Sequence, residues 1–344
     1  MHTETVFGTY SPELAEGAQN AVDVCLAIRR GERVALIADE PSREVAASIL
    51  AALDTAGAVT KRLLIERVAK RPLTAPPSEI LEALDWCDAG VLCVQPQQGE
   101  LRARMAIVAT VERRQIRYAH MVGVTPTIMR QGMRADYRLV DRLSSVLCER
   151  MRTATSLRVS TKYGTSLSAT FDPSMHWVKT SGLISPRYWS NLPAGEVFTT
   201  PVSVDGVFVC NSTAGDYFGQ KFGDLSGTPM TLEIAGGRLV GVHCERRELE
   251  REFRDYCHTD IFSDRVGELA FGTNLALSDM IGVLLQDEKV PGVHLAFGDP
   301  YGSQTGADWK STTHVDVLTR ECDVWIDEQQ VIAQGRYLLD RLGL

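Results

Sequence analysis

The chain has 344 residues, of which 44% are hydrophobic, so it is long and apolar enough to bury a sizeable core divided over two domains. Its net charge of -8 and pI near 5.5, without any run of Lys and Arg among aromatic residues, argue against a nucleic-acid partner. No apolar run approaches the roughly 20 residues of a membrane-spanning helix, and Met1–Gly17 lacks a secretion-signal pattern, so we expect a soluble, cytoplasmic protein without a membrane partner.

The first part of the chain alternates between helix and strand patterns. Apolar residues at helical spacing predict a helix over Pro12–Arg30, and the apolar run Val34–Asp39 predicts a strand of a parallel sheet. The alternation continues to about residue 130 through predicted helices at Pro41–Gly57, Ser78–Leu84 and Leu101–Glu112 and predicted strands at Val59–Ile65, Ala89–Val94 and Tyr118–Val122. This pattern predicts an N-terminal doubly wound α/β domain.

The pattern changes after a predicted helix over Tyr137–Thr153. β-branched residues, glycines and turn signals then predict a largely antiparallel sheet. Its strands are predicted at Leu157–Ser160, Ser166–Phe171, Val202–Cys210, Met230–Ala235 and Arg238–Cys244, with helices at Arg246–Cys257 and Ser278–Gln286. We therefore predict two domains, an α/β domain at residues 1–154 and an α+β domain at residues 155–344.

Two acidic residues of the second domain stand in unusual surroundings. Glu196 follows the Pro- and Gly-containing turn NLPAG, and Glu268 lies within the apolar run RVGELAFGTN. Burying an unpaired carboxylate costs free energy, so an acid within an apolar run indicates a partner or a function. Taken alone, Glu196 is more simply explained as a solvated residue after a turn.

Two histidines lie in strand-like segments of the same domain. His294 lies within the apolar run GVHLAFG, and His314 forms a His-x-Asp pair with Asp316 whose side chains share a face if the segment is a strand. Tyr301 lies in a Pro-Tyr-Gly turn. Each feature alone has an ordinary structural explanation. Together with the two glutamates they offer the set of carboxylates and imidazoles that a two-metal hydrolase site needs.

Other motifs favour no competing chemistry. No GxGxxG or Walker sequence follows the first predicted strand, no GxSxG occurs, and the eight cysteines are scattered without a CxxC pair. We interpret the cysteines as reduced thiols. We interpret five further histidines as structural or solvent-facing, with His258 also a candidate for contact near Glu268: His2, His120, His176, His243 and His258.

Several of these segments resemble a known family. NLPAGEVFTTP, RVGELAFGTN, DEK followed by GVHLAFGDPYG, and the later HVD are similar, in order and context, to segments of the thermophilic-type metallo-aminopeptidases, the aminopeptidase T and S group. The resemblance covers roughly residues 155–320, and the opening GERVALIAD resembles that family's first strand. It implies a two-domain α/β homodimer acting on a small peptide or aminoacyl amide.

The resemblance also implies roles for the candidate residues. Two divalent cations, Zn, Co or Mn, would be held by Glu196, Glu268, His294, His314 and Asp316. Glu268 would bridge them, Tyr301 would be the catalytic tyrosine that stabilises the oxyanion, and Glu196 would be a ligand or a proton shuttle.

The same superfamily includes iron-dependent dioxygenases that open hydroxypyridine rings and whose length is closer to that of this chain. They use one Fe(II) held by two histidines and a carboxylate, and the resemblance leads us to expect a histidine where this chain has Glu268. The glutamate favours the hydrolase. A third possibility is a family member kept for binding or for a specialised biosynthetic hydrolysis.

Overall fold

A computed structural model describes residues 6–344. Contacts divide the described chain into two compact units, one running up to Arg138 and including Gly182–Ala194, the other made of Leu139–Ser181 and Gly195–Leu344. The units divide at residue 138, whereas the sequence led us to place a boundary near residue 154. Division into domains 1–154 and 155–344 stays a prediction.

The described residues contain both strands and helices in every part of the chain. The strands are β1 (Arg33–Ala38), β2 (Val59–Leu64), β3 (Ala89–Val94), β4 (Arg117–Val122), β5 (Ser156–Ser160), β6 (Ser166–Thr170), β7 (Val178–Thr180), β8 (Ser190–Asn191), β9 (Glu196–Thr199), β10 (Ser203–Cys210), β11 (Met230–Ala235), β12 (Arg238–Cys244), β13 (Val266–Gly272), β14 (Gly292–Gly298), β15 (His314–Leu318), β16 (Asp323–Ile326), β17 (Gln329–Ala333) and β18 (Arg336–Tyr337). The α-helices are α1 (Ala15–Asn20), α2 (Arg43–Ala56), α3 (Ile65–Val68), α4 (Ser78–Trp86), α5 (Leu101–Arg114), α6 (Pro126–Arg130), α7 (Tyr137–Met151), α8 (Asp216–Phe222), α9 (Arg247–Tyr256), α10 (Leu284–Asp287), α11 (Gly302–Thr305) and α12 (Leu339–Leu342). Short 3₁₀ segments lie at Pro12–Leu14, Glu40–Ser42 and Gly132–Arg134, and a π-helical turn lies at Ala21–Cys25.

The first unit is built on a parallel sheet in the order β2-β1-β3-β4-β8. Helix α2 packs against β1 and α1, and α4 packs against β1 and α5. The residues facing α4 and α5 form one apolar cluster that includes Ala35, Ile37 and Leu92. The predicted doubly wound α/β arrangement is therefore confirmed.

The carboxyl ends of β1 and β3 flank the point where the strand order reverses, which is the usual ligand crevice of such sheets. In this chain the position holds a buried salt-bridge set. Arg71 donates to the carboxylates of Asp39 and Glu100, and all three side chains are at most 4% exposed. The Asp39 carboxylate also accepts the backbone N–H of Gln95 at 2.7 Å. Side chains of the protein itself therefore fill the crevice.

The second unit contains two antiparallel sheets that share one apolar core. The larger sheet has the order β12-β11-β10-β6-β5-β16-β17-β18 and the smaller the order β15-β14-β13-β9-β7. Buried residues of both sheets, such as Phe208 on β10 and Leu269 on β13, belong to one cluster. Leu143 and Leu147 of α7 join it, which explains why the second unit begins inside this helix. The predicted largely antiparallel α+β region is confirmed.

Most strand predictions match the structure closely, and β3, β11 and β12 match to the residue. The helix predicted over Ser278–Gln286 is wrong, because only Leu284–Asp287 is helical. The carboxylate of Asp287 accepts the backbone N–H groups of Ile281 and Gly282 at 2.7 and 2.8 Å, and Gly282 has φ +80. These contacts hold the preceding segment as a loop. Over residues 6–344, helices long and apolar enough to cross a membrane are absent.

Candidate metal centre

The smaller sheet separates apolar from polar side chains by strand alternation. One face supplies core residues, namely Val197, Leu269, Phe271, Val293, Leu295, Phe297, Val315 and Val317. On the other face, Glu268 lies opposite Ala296, and Ala296 lies opposite Asp316. His294 and His314 each lie two residues before a member of this row, so they share its face. Strand register alone therefore brings these functional side chains together.

Small residues lie opposite two of the polar side chains. Ala270 lies opposite His294, and Gly272 lies opposite Glu196. A Cβ atom on Gly272 would lie 2.0 Å from the carbonyl oxygen of Val290, so only glycine allows the loop before β14 to pack here. The polar side chains of this face, called the pocket below, are thus bordered by Ala270 and by this closely packed loop.

All five predicted ligands converge in this pocket. The Nε2 atom of His294 lies 3.0 Å from Glu196 Oε1, 3.7 Å from Glu268 Oε1 and 4.0 Å from Asp316 Oδ1. The Nε2 atom of His314 lies 3.9 Å from Glu268 Oε2 and 3.7 Å from Asp316 Oδ1. Glu268 therefore lies between the two imidazoles. All of these residues are buried except His314, which is partly exposed.

Tyr301 lies at the open side of the pocket. Its ring centroid is 4.7 Å from that of His314, and the residue is 40% exposed. Its backbone has φ 51, in the left-handed region, and its N–H donates to Asp299 Oδ1 at 2.9 Å. Partial burial, and then the nearby carboxylates, raise the pKa of the phenol well above its usual value. The phenol of Tyr301 therefore stays protonated at neutral pH, and its ring lies between solvent and His314.

The structure adds two charged residues to which the sequence reading gave no role. Lys289 is buried, and its Nζ lies 2.7 Å from Glu196 Oε2 and 2.5 Å from Glu288 Oε1. Both residues belong to the segment DEK, which ends two residues before the buried strand β14. Three consecutive charged residues close to an apolar strand could have indicated a buried charge. The sequence does not tell which side chains of this triplet point inward.

Burial and neighbouring charges shift the pKa values of the carboxyl groups in the pocket. Burial, together with repulsion from Glu196 and Asp316, raises the pKa of Glu268. Burial opposes ionisation of Glu196 as well, but the Lys289 ammonium and His294 outweigh it and hold the pKa of Glu196 at about 2.

The carboxylates act on the two imidazoles in the opposite direction. Burial would lower their pKa values, yet the adjacent carboxylates raise the pKa of His294 and of His314 to about 10. The pocket as a whole therefore attracts positive charge.

The donor set fits a divalent cation. The buried Nε2 of His294 makes no hydrogen bond of acceptable geometry, although carboxylates surround it. Two sets of ligand atoms, each within 4.8 Å of one another, are present among residues 6–344: Glu196, Glu268 and His294, and Glu288, His294 and Asp316. Carboxylate and imidazole donors suit zinc and other borderline divalent ions.

The remaining histidines lie away from this set. His120 is half-buried in the first unit, with ring centroids of Tyr118 and Trp189 within 6 Å of its own. His243 is exposed and lies 3.2 Å from Glu233. His258, the candidate for contact near Glu268, is exposed, and its Nδ1 lies 2.7 Å from the carbonyl oxygen of Arg254. His176 is exposed in a loop, and His2 lies outside the described residues.

Comparison with known proteins bears on this centre. The profile of the family described as Thermophilic metalloprotease (M29) matches residues 133–329, which include the whole polar face of the smaller sheet. The chain belongs to this family. The family implies a divalent metal, and the cluster around Glu268 supplies candidate ligands for it.

Individual relatives of this family member are distant. A 2,5-dihydroxypyridine 5,6-dioxygenase of Pseudomonas putida is 25% identical over 199 residues, and the match covers 54% of this chain and 55% of that protein. The match thus spans about half the length of that curated relative.

Two solved structures share the fold. The 2,5-dihydroxypyridine dioxygenase of Pseudomonas putida KT2440 superposes with a TM-score of 0.68 at 17% identity, over 96% of this chain and 98% of its own. Wild-type AmpT from Thermus thermophilus gives a TM-score of 0.68 at 18% identity, over 95% and 99%. The similarity shows a common architecture.

Proposed function

We propose that the chain is a metal-dependent, aminopeptidase-like hydrolase that cleaves an N-terminal aminoacyl amide bond through a metal-activated water. The observation that carries the proposal is the position of Glu268 between His294 and His314, on the polar face of a sheet in a metalloprotease family. A carboxylate and two imidazoles that meet in this way are donor types that hold a divalent cation.

The proposed ligands are those that the sequence predicted: Glu196, Glu268, His294, His314 and Asp316. The proposed metal is Zn, Co or Mn. A divalent ion bound there would lower the pKa of a water molecule toward neutrality and polarise the substrate carbonyl.

The chain's own groups would perform the remaining tasks. Tyr301, with its phenol protonated, would donate a hydrogen bond to the oxyanion that develops on the amide carbonyl. A carboxylate of the pocket, with Glu196 as our candidate, would accept the proton of the attacking water and pass it to the leaving amine. Excess negative charge in the pocket favours a substrate with a free, protonated amino group, which would explain exopeptidase action.

Hydrolysis of aminoacyl p-nitroanilides and aminoacyl amides tests this proposal. The protein would be freed of metal with a chelator and reconstituted separately with Zn²⁺, Co²⁺ and Mn²⁺. We expect activity with at least one ion, and its loss in Glu268→Ala at unchanged circular dichroism. The exposed Glu233→Ala is the matched control and should keep full activity. Absence of hydrolysis with all three ions would reject the generic aminopeptidase.

The curated relative supports a second candidate. Because that protein is a 2,5-dihydroxypyridine 5,6-dioxygenase, the chain could instead use one Fe(II) to open a hydroxypyridine-type ring. Oxygen consumption with Fe(II) and 2,5-dihydroxypyridine, followed with an oxygen electrode, distinguishes the two. If metal binds but neither reaction occurs, a specialised hydrolysis with a different substrate becomes the remaining proposal.

The assembly and location that the resemblance and composition imply are also proposals. We propose a homodimer located in the cytoplasm and acting on a small peptide or aminoacyl amide. Light scattering coupled to size-exclusion chromatography measures the assembly directly, and a molar mass of twice the 37.9 kDa chain is the expected result.

A further inference from the structure

A buried ammonium lies inside the proposed metal centre. Lys289 belongs to the short loop between α10 and β14, and its side chain is 2% exposed. Its backbone is fixed, because its N–H donates to the Gln286 carbonyl at 2.9 Å and its own carbonyl accepts the N–H of Asn274 at 3.0 Å. The ammonium is therefore held in place by the fold.

The ammonium forms ion pairs with carboxylate oxygens that could otherwise bind a metal ion. Its Nζ lies 2.7 Å from Glu196 Oε2 and 2.5 Å from Glu288 Oε1. The other oxygen of Glu196 faces His294 Nε2 at 3.0 Å. A lysine ammonium is a compact point charge, so it can replace a metal ion as a counter-charge but not as a Lewis acid.

We propose that Lys289 takes the place of a second cation and that the centre binds a single divalent ion. This inference rests on the proposed metal-dependent function and departs from the two ions that the sequence led us to expect. The ammonium contacts one oxygen of Glu196 and one of Glu288. Four residues of the pocket lie outside these contacts: Glu268, His294, His314 and Asp316.

The sharing of His294 between the two ligand sets favours one ion. Catalytic sites hold each zinc by about three protein ligands, and two-metal sites place their ions about 3.5–4 Å apart. The two three-residue ligand sets share His294, whose Nε2 atom can bind one ion at a time. A second ion near Glu196 would also lie against the ammonium, and like charges repel strongly in a buried site.

The charge balance points the same way. The pocket holds four carboxyl groups, and two divalent ions alone would neutralise them if all four are ionised and both histidines are neutral. The ammonium already neutralises one carboxylate, so a second divalent ion would make the cluster positive. One divalent ion leaves a single negative charge, which suits a substrate with a protonated amine.

Counting bound metal tests the inference without relying on activity. The full-length protein would be equilibrated with excess Zn²⁺ or Mn²⁺, passed through a desalting column and analysed by elemental mass spectrometry and native mass spectrometry. We expect one ion per chain. In Lys289→Met, which keeps all but the last atom of the side chain's length and removes its charge, we expect two ions per chain.

A matched control comes from a surface lysine with the same kind of partners. Lys221 bridges Glu248 and Glu252 at 3.1 and 2.6 Å, and its side chain is 36% exposed. Lys221→Met makes the same chemical change outside the centre and should leave one ion per chain. Circular dichroism and thermal unfolding would establish that each variant is folded.

The possible outcomes separate the inference from the proposed function. Two ions per wild-type chain would overturn the inference and leave the metal-dependent function standing, and this count needs no variant to fold. One ion in a folded Lys289→Met would show that the ammonium does not exclude the second cation, which also overturns it. Absence of bound metal in the wild type would overturn the proposed function together with the inference.

Discussion

Removing the charge of Glu268 should separate metal binding from fold stability. Glu268→Gln keeps the shape of the side chain but replaces the charged carboxylate with a neutral amide. In the wild type the two carboxylate oxygens of Glu268 lie 3.7 and 3.9 Å from the Nε2 atoms of His294 and His314. We therefore expect the substitution to weaken metal binding strongly while leaving the sheet intact.

The size of the effect can be worked out for a thermal-shift assay. A ligand at 100 times its dissociation constant stabilises the folded state by about 2.7 kcal/mol, and for a unit of about 190 residues this raises Tm by about 5–11 °C. Removing a residue that only hydrogen-bonds to a metal ligand lowers metal affinity about 10–100-fold. Removing the charge of a ligand itself should therefore lower metal affinity at least ~100-fold. At the same metal concentration the gain then falls to about 0.4 kcal/mol, or about 1–2 °C.

Stability without metal should change in the other direction. Burial and the neighbouring carboxylates raise the pKa of Glu268, so its ionised form destabilises the folded state at neutral pH. Glu268→Gln removes this penalty, and its Tm in chelator should be at least that of the wild type. Glu233→Gln, which changes an exposed glutamate 3.2 Å from His243, is the control and should keep the full metal-induced shift. An equal metal-induced shift in wild type and Glu268→Gln would refute this reasoning.

Three further substitutions test other parts of the account. Tyr301→Phe should lower kcat about 10²–10³-fold with little change in KM or bound metal, as steady-state kinetics and elemental analysis would show, because it removes only the hydrogen bond to the oxyanion. Burial and Arg104 lower the pKa of His120 to about 3, against 6.5 in the unfolded chain. Below pH 6.5 the unfolded chain therefore takes up a proton that the folded protein does not, and the unfolding free energy falls by about 1.4 kcal/mol per pH unit. In urea denaturation, the unfolding free energy of His120→Gln should fall less between pH 7 and 5 than that of the wild type. Arg71→Met should destabilise the protein by about 3–5 kcal/mol in the same assay at pH 7, because it leaves Asp39 and Glu100 buried without their cation, and a loss below 1 kcal/mol would contradict this.

The sequence predicted the candidate residues because their surroundings were anomalous. Glu268 and His294 are single polar residues within apolar strand-like runs, and the cost of burying them alone pointed to a shared partner. The His-x-Asp spacing of His314 and Asp316 placed both on one strand face, as the structure confirms. Residue type and period were sufficient for these positions.

Long-range pairing could not be read in the same way. Glu196 reaches the pocket because β9 pairs with β13, about 70 residues away in sequence, which no local pattern specifies. Lys289 and Glu288 were missed because a loop residue's direction depends on tertiary packing. In this chain the packing depends on Gly272, which lets Val290 approach the sheet. The wrong helix prediction before α10 has a similar origin in the contacts of Asp287.

Anomalous X-ray diffraction from crystals grown with Zn²⁺ or Mn²⁺ tests the central claim most directly. The account predicts an anomalous peak in the pocket, about 2.0–2.2 Å from an oxygen of Glu268 and a nitrogen of His294 or His314. Crystals that show no peak in this pocket at saturating metal, with Glu268 still between the two imidazoles, would contradict it.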